Sequence, residues 1–444
     1  MPDVLLLSRI QFGLTIGFHF IYPPLSIGMS VVIAALYGLF LKTGDEAYER
    51  SADFFLKIFA LTFAIGVATG IVMEFEFGTN WATYSRYVGD IFGSPLAAEG
   101  VFAFFLESSF LGILLYGRKR VGPKAHFVSA VLVSAGAHLS ALWILVANSW
   151  MQTPAGFRIE GTGMQARARI TDFWAMVFNP STLQRFSHTV SASWLAGSTL
   201  ILAVCAWYLI QRQHVRLASQ TAKVSLLVAA AAALLQLGTG HQSALQVSRT
   251  QPIKLAAMEG HWEDGQPMAL NLVGLVDEAN QRTFAIGIPG GVGILCSLNP
   301  KQPFKGLKSV PPADWPPLQA VFQSYHVMVG LGMALIAITL LGLWLWHRGW
   351  LETFRPALWI FMASPLLAEV AIQTGWFTAE LGRQPWVVYN LLRTSDALSK
   401  TVKAEAVLLS LVLFTLTYLL LFAIFLYLGL RQVLRGPASP AAKP

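Results

Sequence analysis

Long runs of uninterrupted apolar residues constrain this chain more than any other feature. VVIAALYGLFL, VLVSAGAHLSALWILVA and AVLLSLVLFTLTYLLLFAIFLYLGL are three of them; the second and third approach or exceed the ~20 residues that a spanning helix needs, and the first does so with the largely apolar residues before it. Within hydrocarbon every backbone N–H and C=O has to be satisfied inside the element, so such runs become α-helices. Composition agrees, with 55% of the 444 residues hydrophobic and only 12% charged, about half the charge usual in soluble domains. The expected fold is all-α: a polytopic membrane protein of about nine transmembrane helices, at roughly 15–41, 53–75, 95–116, 126–149, 187–210, 221–239, 322–346, 357–380 and 405–430. The N-terminus, MPDVLLLSRIQFGLTIGFHF, lacks a basic n-region and a small-residue cleavage site and is expected to be retained.

The formal charge of +8 does not point to nucleic acid, because no basic stripe with interleaved aromatics is present. Lys and Arg collect instead in short connections. RKRVGPK, RQHVR, HRGWLETFR and RQVLR follow the third, fifth, seventh and ninth spans, so all four share one side, which the positive-inside bias makes the cytoplasm. The N-terminus is then outside and the C-terminus inside. Three parts follow: residues 1–240 with helices one to six, an outer stretch 241–320, and 321–444 with helices seven to nine and a cytoplasmic tail ending in PASPAAKP. The outer stretch is polar, rich in Gly and Pro, and too long for a mere connection, so it is expected to carry function. Cys205 and Cys296 make neither a metal cluster nor a disulfide framework.

Ionisable side chains inside spans are costly and by default functional. They are His19, Glu74 and Glu76, Glu99 and Glu107, His138, His188, His326, Glu369 and Glu380, with Met328 as a further metal-competent group. In the deduced topology His19, Glu99, His188 and Met328 come early in out-to-in helices, and Glu380 comes late in an in-to-out helix. All five should lie in the outer third of the membrane, as a cluster of cofactors would require. An imidazole and a thioether are a recognised axial pair for haem iron, which His188 and Met328 could supply. Taken singly, each has a blander explanation: an interfacial histidine in a hydrogen bond, or methionine as core filler. Glu99 and Glu107, about two turns apart, would be expensive to ionise in an apolar run, as members of a proton relay are.

The segment GWFTAELGRQPW (375–386) matches the GWxxxExGRQPW signature of cytochrome bd oxidase subunit I, and the chain resembles that family from about residue 3 through the eighth span. SRIQFGLTIGFHF, GVATGIVMEFEFGTNWATYSRYVGDIFGSPLAAEG, AFFLES and LSALWILVANSWMQ carry the resemblance further. It implies a quinol:oxygen oxidoreductase of the bacterial cytoplasmic membrane, electrogenic without being a proton pump. Its implied cofactors are two haem b and one haem d, or a further haem b in place of haem d, with quinol as substrate. A second multi-span subunit, and a very small single-span one, are the implied partners.

Residue by residue, the resemblance makes His188 and Met328 the axial ligands of the low-spin haem b. His19 becomes the ligand of one high-spin haem, and Glu380 serves the other, with Trp376 packing nearby. Glu99 faces the oxygen-reactive iron, while Arg383 and Arg9 lie near haem propionates. Glu107, Ser108 and Ser140 line an inward-facing proton path; for the serines the alternative is ordinary helix-to-helix hydrogen bonding. In QPIKLAAMEGHWED, Lys254 and Glu259 match the pair used for quinol oxidation, although spacing alone would favour a solvated loop pair. His241 and His261 have no counterpart and are expected on the surface.

Two departures stand out. GLKSV passes directly through PPADWPP into the next span, which resembles the short-loop branch that includes cyanide-insensitive oxidases. His326 stands where better-studied members carry arginine, and offers an imidazole in competition with Met328. Two other classes remain possible for the residues alone. An electron-transfer subunit would hold only six-coordinate haems. A transporter would be colourless and would usually show an internal repeat, which this sequence lacks.

Overall fold

The computed structural model describes residues 3–118 and 120–438, so most of the Pro/Ala tail lies outside the described residues. The spanning region consists of α1 (Val4–His19), α2 (Tyr22–Thr43), α3 (Glu46–Thr79), α4 (Ala82–Ala98), a π-helical turn (Glu99–Phe104), α5 (Phe105–Tyr116) and α6 (Pro123–Gln152). After the short α7 (Phe173–Val177) come α8 (Thr182–Ile210) and α9 (Val215–Thr250), then α10 (Pro252–Glu259) and α11 (Gly291–Ser297), and finally α12 (Leu318–His347), α13 (Arg355–Leu381) and α14 (Ala404–Arg435). Among the described residues, nine segments are long and apolar enough to cross a membrane, with α1–α2 and α4–α5 each counting as one.

Local chemistry sets the boundaries. Asp3 caps α1 through Leu5 N at 3.0 Å, and Asp45 caps α3 through Ala47 N at 3.0 Å, each satisfying an N–H that has no partner inside its helix. The first span, expected as one helix from 15 to 41, is two. Pro23 and Pro24 fall in the first turn of α2 and cannot donate to an incoming helix, so α1 stops at His19. The sixth span is longer than expected and stays helical to Thr250, well into the stretch assigned to the outer connection.

The helices form two four-membered groups. In one, α8, α9, α12 and α13 pack as a closed ring in the order α8–α9–α12–α13, which makes α8 and α12 diagonal partners. In the other, α2, α3, α5 and α6 form a similar ring, with α1 and α14 on its flank. The groups meet along α2 and α8. A Cβ on Gly28 would lie 2.1 Å from Ser193 O, and one on Gly197 would lie 2.3 Å from Met29 N. Glycine is required at both places for backbones to touch, as at other close helix crossings in membranes.

Hydrogen bonds identify the two ends of the bundle. At the basic end Arg216 reaches Asp45 at 2.9 Å and Tyr208 reaches Val433 O at 2.6 Å. At the opposite end Gln251 reaches Gln152 O at 2.9 Å and Tyr389 N reaches Met151 O at 2.9 Å. The connections there hold short antiparallel pairs: β1 (Phe157–Glu160) with β2 (Arg167–Ile170), β3 (Gln266–Pro267) with β6 (Pro303–Phe304), β4 (Leu270–Asp277) with β5 (Arg282–Ile288), and β7 (Trp386–Val388) with β8 (Leu392–Arg393). The excursion between α9 and α12 builds its own core, in which Leu255, Met258, Trp262 and Leu307 pack against Leu318 and Val321 of α12. That core anchors α10 over the bundle.

Candidate functional site

A cavity of about 1110 Å³ runs between the two helix groups and up to α10, larger than the ~300–1,000 Å³ of an ordinary small-molecule pocket. His19, Glu99, Glu107, His188, Met328 and Glu380 all line it, from six different elements. Arg9, Ser140, Lys254, Glu259, Trp376 and Arg383 line it too. Ser140 and Asn148 stand eight residues apart on α6, about 12 Å, and bind Glu99 and Glu380 respectively. The α6 partners of Glu99 and Glu380 are thus separated by far less than the ~30 Å depth of a hydrocarbon core.

His188 and Met328 come from α8 and α12, the diagonal corners of one helix ring, so both approach its centre from opposite sides. His188 Nδ1 lies 3.0 Å from Thr239 Oγ1, and His19 Nδ1 lies 3.0 Å from Thr69 Oγ1. Among the described residues, Nε2 of neither ring has a hydrogen-bond partner. His326 does not join Met328 in lining the cavity; its ring lies against the backbone, with Nδ1 2.7 Å from Phe322 O and Nε2 2.9 Å from Asn271 O, and a neutral ring donates to one of these carbonyls. His138 is a satisfied structural histidine, with Nδ1 2.6 Å from Ser134 O and Nε2 accepting from Trp194 Nε1 at 2.7 Å.

Positive charge exceeds negative at the top of the cavity. Glu380 accepts from Asn148 Nδ2 at 3.1 Å, Gln152 Nε2 at 3.3 Å and Arg383, with Arg185 Nη2 at 3.9 Å. Lys254 Nζ donates to Gln152 Oε1 at 2.6 Å. Two guanidiniums and the Lys254 amine thus surround one carboxylate, while Arg185 Nε and Arg383 Nε and Nη1 are buried without partners. Unpaired buried charge is costly, and the open cavity beside it leaves room for further anions. Haem propionates are carboxylates, and a guanidinium fork suits them; the neutral imidazoles and the thioether are iron donors. The residues present fit haem. Gly382, within GRQPW, makes the space for Lys254, whose Cγ would lie 2.8 Å from an added Cβ.

Glu99 and Glu107 share the cavity because the helix between them is not regular. Eight α-helical residues overshoot two turns by about 80°. The π-helical turn takes an extra residue per turn and winds the overshoot back. Glu99 Oε1 accepts from Ser140 Oγ at 2.8 Å. Gly136 lets α6 approach, since a Cβ there would lie 3.0 Å from Glu107 Cβ and 3.1 Å from its N. Ser108 does not join them: it is exposed, and its hydroxyl turns back to Phe105 O, one residue having rotated it off the cavity face.

Lys254 and Glu259 are no solvated pair. They are 4% and 1% exposed, and they do not bond to each other. Asn271 N donates to Glu259 Oε2 at 2.8 Å, and the Tyr325 hydroxyl bonds to the same carboxyl. Burial pushes Glu259 up to about 7, against the pull of these bonds. Burial, and then the charges of Arg185 and Arg383, hold Lys254 far below the ordinary lysine range. His241 lies exposed at the cavity, as a surface residue would, but His261 is half-buried with Nε2 unpartnered, because the excursion folds over it. Cys205 and Cys296 are both free.

Sequence reasoning passed over Arg185, Asn148 and Gln152. Arg185 precedes His188 by three residues and Asn148 precedes Gln152 by four, spacings that put each pair on one helix face; a polar partner one turn from a suspected ligand was the available signal.

A family model described as cytochrome bd terminal oxidase subunit I matches residues 7–437. Cytochrome bd ubiquinol oxidase subunit 1 of Bacillus subtilis (strain 168) is 37% identical over 443 residues, covering 97% of this chain and 94% of its own. Cytochrome bd-II ubiquinol oxidase subunit 1 of Escherichia coli (strain K12) is 34% identical over 506 positions, covering 99% and 98%. The structure of bd oxidase from Geobacillus thermodenitrificans superposes with a TM-score of 0.90 at 28% identity, over 98% of this chain and 99% of that one.

Proposed function

This chain belongs to the cytochrome bd terminal oxidase subunit I family, and we propose that its cavity holds three haems and couples quinol oxidation to the reduction of dioxygen to water. The observation that carries the proposal is the pairing of iron donors with surplus cations: His188 and Met328 from diagonal helices, His19 across the cavity, and Arg185, Arg383 and Lys254 around a single carboxylate. His188 and Met328 would hold the low-spin haem b, and His19 and Glu380 the high-spin pair, which is haem b with haem d or a further haem b. When bound, the haems supply the electron path and the oxygen chemistry.

The chain's own residues handle protons and charge. Glu259, with its proton affinity raised to about 7, suits acceptance of a quinol hydroxyl proton near neutral pH. Lys254, buried and crowded by two arginines, gives up a proton far more readily than a free lysine. Arg185, Arg383 and Arg9 orient carboxylates of the cofactors. Trp376 and Gly17 approach each other, an added Cβ lying 3.9 Å from the indole, and close the cavity between α1 and α13. Glu107 and then Glu99, steadied by Ser140, pass protons from the basic, cytoplasmic end. Quinol protons leave at the end that carries α10, outside the cell, so the reaction is electrogenic without pumping; each charge moved is worth about 2.3 kcal/mol per 100 mV. Glu74 is exposed where the cavity reaches the flank of α3. A carboxylate against hydrocarbon is costly, which supports a second multi-span subunit on that face.

The test is a purified complex assayed for oxygen consumption with a quinol donor and for haem by pyridine haemochrome. Three haems and quinol-dependent oxygen uptake are expected, and His188→Ala should remove the low-spin spectrum while the chain stays inserted. A colourless complex would overturn the reading. Six-coordinate haems without oxygen uptake would reduce the chain to an electron-transfer subunit.

A further inference from the structure

Each of the three neutral iron donors proposed, the two imidazoles and the thioether, rests against a Thr-Gly dipeptide on a neighbouring helix; the carboxylate of Glu380 does not. His19 meets Thr69-Gly70 of α3, His188 meets Thr239-Gly240 of α9, and Met328 meets Thr374-Gly375 of α13. A Cβ on Gly70 would lie 3.2 Å from His19 Cε1, on Gly240 3.4 Å from His188 Cε1, and on Gly375 2.8 Å from Met328 Sδ. The other two Thr-Gly pairs, Thr43-Gly44 and Thr162-Gly163, lie outside this pattern: their glycines take φ of +70° and +53°, where the turn itself requires glycine.

We propose that these dipeptides are a recurring device that positions the ligand side chains, and that Thr69 and Thr239 decide which imidazole nitrogen faces the cavity. The inference rests on the ligand assignment given above. Its chemistry follows from counting protons. Thr69 Oγ1 donates to Ile65 O at 2.9 Å, and Thr239 Oγ1 donates to Leu235 O at 2.9 Å. A hydroxyl has one hydrogen, so each threonine, having spent it on the carbonyl one turn earlier, can only accept from the ring. Nδ1 must then carry the hydrogen, and Nε2 keeps its lone pair toward the cavity. An imidazole that donates its other N–H is both oriented and made a stronger electron donor to a metal. Thr374 Oγ1 likewise donates to Val370 O at 2.7 Å. It has no bond to make with Met328, because a thioether carries no hydrogen; there only the glycine serves, by leaving space for sulfur.

The test uses the complete oxidase. Thr239→Val keeps the shape and removes the acceptor, whereas Thr239→Ser keeps the acceptor. Thr239→Val is expected to raise the midpoint potential of the low-spin haem and to weaken its retention about tenfold; Thr239→Ser restores both. Thr69→Val should act on a high-spin haem and leave the low-spin one unchanged. Should Thr239→Val fail to assemble, Gly375→Ala supplies an independent arm. It displaces the Met328 sulfur, and carbon monoxide should then bind the reduced low-spin haem. Unchanged potential and haem content in Thr239→Val, with the low-spin haem lost in His188→Ala, would overturn this inference and leave the ligand assignment standing. A low-spin haem retained in His188→Ala would overturn the assignment itself. Gly375→Ala without carbon monoxide binding counts against the device.

Discussion

Replacing Glu259 by glutamine should make the loop over the cavity more stable and the enzyme slower. The side chain is 1% exposed, and burial raises its proton affinity from an ordinary 4.5 to about 7. At about 1.36 kcal/mol per tenfold change in proton affinity, ionising this carboxyl in the closed loop costs about 3 kcal/mol more than in water. Between pH 4.5 and 7 the folded loop keeps a proton that the opened loop has released. Loop stability therefore falls as pH rises through that window and levels off above it. Glutamine fills the same space, holds no ionisable proton, and can still accept from Asn271 N with its amide oxygen. Hydrogen exchange of the β4–β5 amides between pH 5 and 8 reads the opening free energy directly. Wild-type protection should decline toward pH 7, and Glu259→Gln should hold a flat, higher value. Quinol oxidation moves the opposite way. In the wild type kcat/KM rises with an apparent pKa near 7, because the base must be ionised; loss of a general base costs about 100-fold or more, and that acid limb should vanish in the variant. A variant with wild-type activity, or with the acid limb intact, would refute the role. A wild-type loop whose protection ignores pH would refute the electrostatics.

Lys254→Ala should cut quinol oxidation at least about tenfold while carbon monoxide binding to the reduced enzyme stays normal; Gln152 Oε1 still accepts from Gln251 Nε2 at 3.1 Å, so the fold survives. Arg383→Leu strips Glu380 of its closest cation and leaves it with Arg185 Nη2 at 3.9 Å and the amides of Asn148 and Gln152, a change that should show as haem loss by haemochrome and a lowered melting temperature. Gly136→Ala forces a methyl within 3.0 Å of Glu107 Cβ and should cost about 1–3 kcal/mol. By moving α6 off the π-helical turn it should also slow steady-state oxygen consumption, which separates this effect from simple destabilisation if Glu107→Gln slows it alike.

Much of this protein was readable before any tertiary contact was known. Hydrocarbon demands about twenty apolar residues per crossing and satisfies no backbone group, so nine spans declared themselves through length alone. The expense of His, Glu and Met-bearing sites within those spans drew attention to His19, Glu99, His188, Met328 and Glu380 for the same reason. What lay beyond reach depends on which helices become neighbours, and spacing along a chain does not encode that. The break before Pro23 and the extension of α9 to Thr250 are local adjustments. The meeting of Arg185 and Lys254 with the Glu380–Arg383 pair joins parts of the chain more than a hundred positions apart. Burial of Lys254 and Glu259 needed the excursion to fold against α12, and the shared face of Glu99 and Glu107 needed a π-helical turn that hydrophobic pattern cannot signal. Sequence decided that this chain crosses a membrane and which costly side chains it takes there. Packing decided which of them face one another, because desolvation and hydrogen bonding act through space.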